Sequence, residues 1–126
     1  MKELNISQIQ FEAKSTPIKN SLLLKKYFEK TKKFSPDIIC TPECSNIITN
    51  DKSYLLRNST YETNCPIISM AKLYATENNV NINIGSLLLR EKNKRKLVNR
   101  SFFINNKGKI VKKYDKIHMF DVNISK

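Results

Sequence analysis

Residues 35–44, Ser35-Pro36-Asp37-Ile38-Ile39-Cys40-Thr41-Pro42-Glu43-Cys44, place a short apolar run between a turn signal and a glutamate. An apolar run of this length between turn residues is typical of a buried strand in a parallel sheet. Open α/β sheets bind their ligands beyond the carboxyl ends of such strands. The segment therefore predicts a buried strand with Glu43 at a candidate site, although a loop cap or an ion pair with a surface lysine would also explain Glu43.

The segments before this strand predict another strand and a helix. Residues 4–11 mostly alternate between apolar and polar side chains, as a half-buried strand does. Asn20 and Ser21 are predicted to cap a helix that residues 35–37 stop, because their side-chain oxygens can accept hydrogen bonds from free backbone N–H groups. The predicted apolar positions of that helix are Leu23, Leu24, Tyr27, Phe28 and Phe34.

The segments after the central strand predict a second helix, a strand and a hairpin. Pro66 suits a first helical turn, and apolar residues then recur at helical spacing. Residues 80–85 alternate strictly, which indicates a strand, and residues 105–108 have the composition of a hairpin turn between two apolar runs. The order β-α-β-loop-α-β followed by a hairpin predicts a single α/β domain over residues 1–126.

Lysine accounts for most of the formal net charge of +12, which arises from 23 basic and 11 acidic residues. The chain is also rich in Asn and Ile, and an AT-rich coding bias produces this combination without selection for a partner. Arg, which makes bidentate contacts with phosphates and bases, is scarce. Nucleic-acid binding is therefore not favoured, although the basic region 90–116 leaves a small nucleic-acid-binding protein as an alternative.

Composition also bears on the compartment and on cofactors. No apolar run reaches the roughly 18–20 residues of a membrane span, and the N-terminus lacks a signal-peptide pattern, so we expect a cytoplasmic protein with no membrane partner. The odd number of cysteines (Cys40, Cys44 and Cys65) argues for reduced thiols. Cys40 and Cys44 lack a second ligand pair, and the single histidine is distant in sequence, so neither a metal nor a cofactor is predicted.

A second candidate segment is Tyr114-Asp115-Lys116-Ile117-His118-Met119-Phe120-Asp121. In an extended conformation Lys116 and His118 would share one face. A lysine aimed into a pocket can stabilise the negative charge that develops on an oxygen during a reaction. A solvated charged segment without catalytic function would explain the same residues.

Several segments follow one another in an order that a known family shares. Residues 114–122 match the motif YrKiHLFDv almost residue for residue, and this is the most specific of the matches. The other matching segments are an opening strand that ends at Gln10, a Pro-Glu strand end at 36–43, a Gly-Ser strand end at 84–86, and hairpin strands at 99–104 and 108–111. Over its whole length the chain thus resembles the N-terminal part of the nitrilase superfamily, the carbon–nitrogen hydrolases.

That resemblance implies a fold and a chemistry. The fold would be the N-terminal part of an α-β-β-α sandwich, truncated at Lys126, and the branch would be that of the ω-amidases and deaminated-glutathione amidases. Glu43 would be the general base and Lys116 the oxyanion-stabilising residue for a cysteine nucleophile that hydrolyses amides or nitriles. In the family this cysteine belongs to a motif beyond the lysine motif.

The expected consequence is a hydrolase-like pseudoenzyme, a single incomplete domain that is inactive by itself. Cys40 lies in an apolar strand and Cys65 has no evident base, and an extended backbone would point Cys44 and Glu43 to opposite faces. A separate C-terminal half would be needed to bind and hydrolyse a small amide substrate, and the partner could otherwise be a second copy of the chain or a complementing chain. A non-catalytic interaction module that pairs with an intact paralogue is the alternative.

Overall fold

Five strands form one sheet, and their spatial order follows their order in the chain. The computed structural model describes residues 3–93 and 96–117. The strands are β1 (Ile6–Gln8), β2 (Ile38–Thr41), β3 (Asn81–Arg90), β4 (Leu97–Ile104) and β5 (Ile110–Asp115), and the helices are α1 (Pro17–Thr31), α2 (Lys52–Asn58) and α3 (Pro66–Asn78). The first three strands are parallel to one another, and β4 pairs antiparallel with both of its neighbours, β3 and β5. This arrangement confirms the predicted α/β class.

Helix α1 begins earlier than the sequence pattern predicted. Pro17 occupies the first turn, where its fixed φ angle suits a helix and its missing N–H costs no hydrogen bond. Asn20 does not cap the helix, because its side chain accepts a hydrogen bond from Lys14 N and donates to Lys14 O and Asn46 O. The predicted cap at Asn20 or Ser21 is therefore wrong, and the buried Asn20 instead links two loops.

The core lies between one face of the sheet and the helices α1 and α3. Phe28 of α1 and Tyr74 of α3 meet edge to face at 5.1 Å between ring centroids, and the Tyr74 hydroxyl donates to Phe28 O at 2.8 Å. Full burial of a Leu, Ile or Phe side chain stabilises a fold by about 1.5–3 kcal/mol. The largest fully buried apolar side chains of this core are Leu24, Phe28, Ile39, Ile67, Ile82, Ile84, Leu87, Leu89, Phe102 and Ile104.

Strand β3 continues well past the end of its neighbour β2. Beyond Thr41 the loop after β2 supplies hydrogen-bond partners to the edge of β3, since Ser45 N donates to Ser86 O at 3.0 Å. The Asn46 side chain then pairs with the backbone of Leu88, accepting from its N–H at 2.9 Å and donating to its C=O at 2.7 Å. Asn46 is fully buried, and its amide replaces one residue of a neighbouring strand. These contacts hold the loop that follows β2 against the sheet.

Replacement of Asn46 by Ala is expected to lower the free energy of unfolding by about 2–3 kcal/mol, because it leaves the Leu88 N–H and C=O without their partner. Urea unfolding followed by circular dichroism measures this change. Asn78→Ala is the matched control, since in the part of the chain that the structure describes the Asn78 side chain donates only to Tyr74 O within its own helix. Equal unfolding free energies for the two variants would contradict the role given to Asn46.

Candidate active site

Glu43 lies in a fixed turn directly after the buried strand β2. The Cys44 N–H donates to Ser86 Oγ at 2.9 Å, and Ser45 Oγ donates back to Pro42 O at 2.6 Å. Cys44 itself has a left-handed backbone with φ of 52°, which turns the chain sharply after the glutamate. The turn therefore holds Glu43 at the carboxyl end of β2, as the sequence predicted.

Gly85 allows this turn to approach β3. A Cβ atom at position 85 would lie 2.3 Å from Thr41 O and 2.7 Å from the carbonyl carbon of Pro42. Both are backbone atoms, and a side chain could not be accommodated without moving the turn that carries Glu43. Glycine is thus required here by space.

Lys116 reaches Glu43 from the end of β5, across the two strands β3 and β4 that separate β5 from β2. It follows β5 directly, and its backbone N–H donates to Asn99 O at 2.9 Å. Its Nζ atom lies 3.0 Å from Glu43 Oε1, although the two residues are 73 positions apart in sequence. The structure therefore brings the two candidate residues of the sequence analysis into one ion pair. Both side chains keep access to solvent, with 58% of Glu43 and 39% of Lys116 exposed.

Asn99 is the residue of this site that sequence reasoning did not single out. The residue is only 5% exposed, and its Nδ2 atom donates to Glu43 Oε1 at 2.8 Å. The available signal was a polar residue in a predicted strand, within the hairpin segment that matches the family pattern. That pattern does not reveal its contact with Glu43, because the two residues are 56 positions apart.

The ion pair borders a cavity of about 330 Å³. The cavity opens on the sheet face opposite to α1 and α3, where small and polar side chains replace the apolar ones of the core. Its lining residues are Glu43, Gly85, Ser86, Asn99, Ser101, Tyr114 and Lys116. A second cavity, also of about 330 Å³, lies at the amino end of β2 beside Tyr74 and Asn79 and contains none of these residues.

The surroundings of Glu43 favour its charged form. Hydrogen bonds from Lys116 and Asn99 lower the pKa of the Glu43 carboxyl, against a smaller opposing effect of burial. Burial and the negative charge of Glu43 raise the pKa of the Cys44 thiol, against opposing effects of Ser86 and Lys116. At neutral pH the site therefore combines a carboxylate that can accept a proton with a protonated thiol.

The orientation of Cys44 differs from the sequence prediction. The Cys44 Sγ atom lies 4.0 Å from Asn99 Nδ2, the same atom that donates to Glu43. The expectation that Cys44 and Glu43 point to opposite faces is wrong, because it assumed an extended backbone and the chain turns left-handed at residue 44. The other two thiols lie elsewhere, with Cys40 half-buried on β2 and Cys65 buried where α3 begins.

Arg100 fixes the end of β5 immediately before Lys116. Its guanidinium binds both carboxylate oxygens of Asp115, at 2.5 and 2.8 Å, and contacts Glu62 at 3.0 Å and Glu91 at 2.6 Å. Arg100 is only 15% exposed, so it contributes little to an exposed basic surface in the region 90–116. Of the predicted lysine motif, Tyr114 to Ile117 are described, whereas His118 to Val122 lie outside the described residues.

The family model described as "Carbon-nitrogen hydrolase" matches residues 5–126. Because the match covers nearly the whole chain, the protein belongs to the carbon–nitrogen hydrolase family, the nitrilase superfamily. The curated protein "Nitrilase homolog 2" of Dictyostelium discoideum is 27% identical over 99 residues, which are 79% of this chain and 30% of that protein.

Solved structures share the fold at low sequence identity. An N-terminal amidase crystallised with a Gln-Gly peptide aligns with a TM-score of 0.78 and 20% identity, over 94% of this chain and 28% of its own. The NitN amidase of Nesterenkonia sp. AN1 aligns with a TM-score of 0.77 and 15% identity, over 95% and 46%. The C. elegans NitFhit protein aligns with a TM-score of 0.74 and 21% identity, over 96% of this chain and 29% of its own. The chain thus spans less than half the length of these relatives.

Residues 3–93 and 96–117 contain neither a membrane-spanning helix nor a cluster of metal-ligating side chains. No helix in these ranges combines the length and the apolar character that a membrane crossing requires. Within the same ranges, no three His, Cys, Asp or Glu side chains converge as a metal site would require.

Replacement of Lys116 by Met is expected to raise the pKa of Glu43, because it removes the hydrogen bond and the charge that lower it. Since the folded-state pKa lies below the unfolded value, the ion pair stabilises the fold above the unfolded pKa. This contribution is lost as the pH falls through the folded pKa. NMR titration of the side-chain carboxyl carbons measures the shift, with Glu43→Gln to assign the signal. Lys113→Met is the matched control, since Lys113 pairs with Glu62 instead, and equal Glu43 titration in both variants would contradict the contact.

Proposed function

We propose that Glu43 and Lys116 are the general base and the oxyanion-stabilising cation of an amidase-type carbon–nitrogen hydrolase site. The observation that carries the proposal is the 3.0 Å contact between Lys116 Nζ and Glu43 Oε1 beside a cavity at the carboxyl end of β2. Membership of the family and the likeness in fold to amidases support it. The lowered pKa of Glu43 suits a base that must be ionised at neutral pH.

The proposed reaction assigns one task to each residue. Glu43 accepts the proton of a thiol, and the thiolate attacks the amide carbon. Negative charge then develops on the carbonyl oxygen, where the ammonium group of Lys116 stabilises it. The C–N bond breaks as protonated Glu43 returns its proton to the leaving nitrogen. Cleavage of the C–N bond leaves a thioester, and Glu43 next takes a proton from a water molecule whose oxygen attacks the thioester carbon. The C–S bond then breaks, the acid leaves, and Glu43 returns the proton to the cysteine sulfur.

The thiol in this proposal is a cysteine from a segment that follows the lysine motif, as the family resemblance implies. That segment would come from a continuation of the chain or from a second polypeptide. Cys44 is not proposed as the nucleophile, because burial and the adjacent carboxylate raise the pKa of its thiol. Residues 1–126 alone are accordingly proposed to be inactive toward amides.

The proposed substrates are the small amides of the ω-amidase and deaminated-glutathione amidase branch. The specific lysine motif at 114–122 and the similarity to a nitrilase homolog support this choice. Small and polar residues around Lys116, such as Ser86 and Ser101, leave room for a short acyl chain.

A second candidate function is non-catalytic pairing with another polypeptide, either a complementary half, an intact paralogue or a second copy. It is supported by the sheet face opposite to α1 and α3. On this face Phe103 is half-buried and Tyr114 is 60% exposed, so another polypeptide could cover these aromatic side chains. Nucleic-acid binding is less well supported, because Arg100 and Lys113 in the basic region are already engaged by carboxylates.

Purified residues 1–126 are expected to release no ammonia from a panel of small amides, whereas mixing or fusion with a cysteine-bearing C-terminal half of this family should produce turnover. In the active assembly, Glu43→Gln and Lys116→Met should each lower kcat on the order of 100-fold or more. Lys113→Met is the control and should retain activity.

Size-exclusion chromatography of the same mixtures separates catalysis from pairing. Association without turnover would favour the non-catalytic function. Turnover that survives both Glu43→Gln and Lys116→Met would overturn the site assignment.

A further inference from the structure

Among residues 3–93 and 96–117, Asn99 forms hydrogen bonds to both members of the ion pair. Its side-chain Nδ2 atom donates to Glu43 Oε1 at 2.8 Å, and its backbone oxygen accepts from the Lys116 N–H at 2.9 Å. Lys116 Nζ completes the ring with its own contact to Glu43 Oε1 at 3.0 Å. The three residues are therefore all in contact with one another, and Asn99 is the member that lies within the sheet, on β4 beside β3.

The three residues differ greatly in burial. Asn99 is 5% exposed and lies in register with Leu88 within the sheet, whereas more than half of the Glu43 side chain is exposed. A glutamate that is this exposed can adopt several rotamers, and holding one of them costs conformational entropy. A hydrogen bond from a buried amide selects one orientation before any substrate binds.

The two oxygens of the Glu43 carboxylate are not equivalent. Both described donors, Asn99 Nδ2 and Lys116 Nζ, bind Oε1. Among residues 3–93 and 96–117, no hydrogen bond to Oε2 is found. Within the described ranges Oε2 is therefore available to accept a proton, which is what a general base requires.

Only one of the two polar atoms of the Asn99 amide has a hydrogen-bond partner among the described residues. Its Oδ1 atom is buried and has no hydrogen-bond partner among the described residues. A buried, unpaired acceptor destabilises a fold, and such atoms are rare in native proteins. An apolar residue of similar size would avoid that cost, so the amide at this position is explained better by its bond to Glu43 than by stability.

We propose that Asn99 is a positioning residue of this site, whose buried amide orients the Glu43 carboxylate with Oε1 held and Oε2 free to take the proton. The inference rests on the proposed function, since it names how the proposed base is oriented. An aspartate could not replace Asn99, because its oxygen would face Glu43 where the structure requires a donor.

The first test uses the unaltered chain. In NMR spectra of residues 1–126, the side-chain amide signals of Asn99 are expected to shift with pH at the same midpoint as the Glu43 carboxyl. In Glu43→Gln this shift should disappear. Asn99 signals that ignore the titration of Glu43 would overturn the inference.

The second test separates positioning from a structural role. Asn99→Leu is expected to raise the pKa of Glu43 while leaving the unfolding midpoint equal or higher, because it also removes the unpaired Oδ1. Asn99→Asp should raise the pKa of Glu43 further through repulsion. Asn83→Leu on neighbouring β3 is the matched control, since Asn83 lines a different groove with Phe103 and Lys112. An unchanged Glu43 pKa in Asn99→Leu, or the same shift in Asn83→Leu, would overturn the inference.

Turnover in the assembly completed by a C-terminal half distinguishes this inference from the proposed function. Asn99→Leu should lower kcat on the order of 10-fold to 100-fold with little change in KM. If Glu43→Gln abolishes turnover but Asn99→Leu does not lower it, the positioning role fails and the proposed function stands. If Glu43→Gln retains turnover, the proposed function fails, while the NMR titrations still decide whether Asn99 orients Glu43.

Discussion

The pairing of the Asn46 side chain with the backbone of Leu88 is the contact on which the candidate site depends. Strand β2 ends at Thr41 while β3 runs on to Arg90, so the edge of β3 needs other partners. A loop alone rarely satisfies a strand edge, because its N–H and C=O groups seldom lie in register. The buried Asn46 amide solves this at one point, and the loop between Thr41 and Asn46 is consequently held against the sheet.

Anchors to the sheet on both sides determine the distance between Glu43 and Lys116. On one side the loop after β2 is anchored to β3, and on the other side Arg100 binds Asp115 at the end of β5. Asn99 lies between these anchors, beside Arg100 on β4. Because each anchor is partly buried and the strands have a fixed register, the two charged side chains meet although both are exposed.

Local patterns in the sequence predicted what depends on neighbouring residues. The apolar run at 38–40, the hairpin turn at 105–108 and the α/β class are confirmed because each follows from nearby composition and periodicity. The sequence also singled out Glu43 as a candidate site residue and Lys116 as a candidate for stabilising negative charge, while the resemblance assigned the two residues their parts in one reaction, and those roles remain predictions. The predicted start of α1 at Asn20 is wrong, because the buried Asn20 side chain forms its contacts outside the helix instead of capping it.

What the sequence could not predict depends on pairs of residues far apart in the chain. The contact of Asn99 with Glu43 spans 56 positions and follows from strand register, which composition does not reveal. The left-handed turn at Cys44 is equally invisible, because glycine or asparagine is the usual sign of such a conformation.

The two donors that share Glu43 Oε1 differ in a way that matters for the surrounding solution. The contact with Lys116 is a partly exposed charge pair at 3.0 Å, and dissolved ions weaken it as the Debye length shortens toward that distance, from about 8 Å at physiological ionic strength to about 3 Å at 1 M salt. The contact with Asn99 comes from a neutral, buried amide that has no net charge to screen. High salt would therefore reduce the electrostatic help from Lys116 and leave the aim of the carboxylate intact, so that orientation and charge compensation are maintained by independent means.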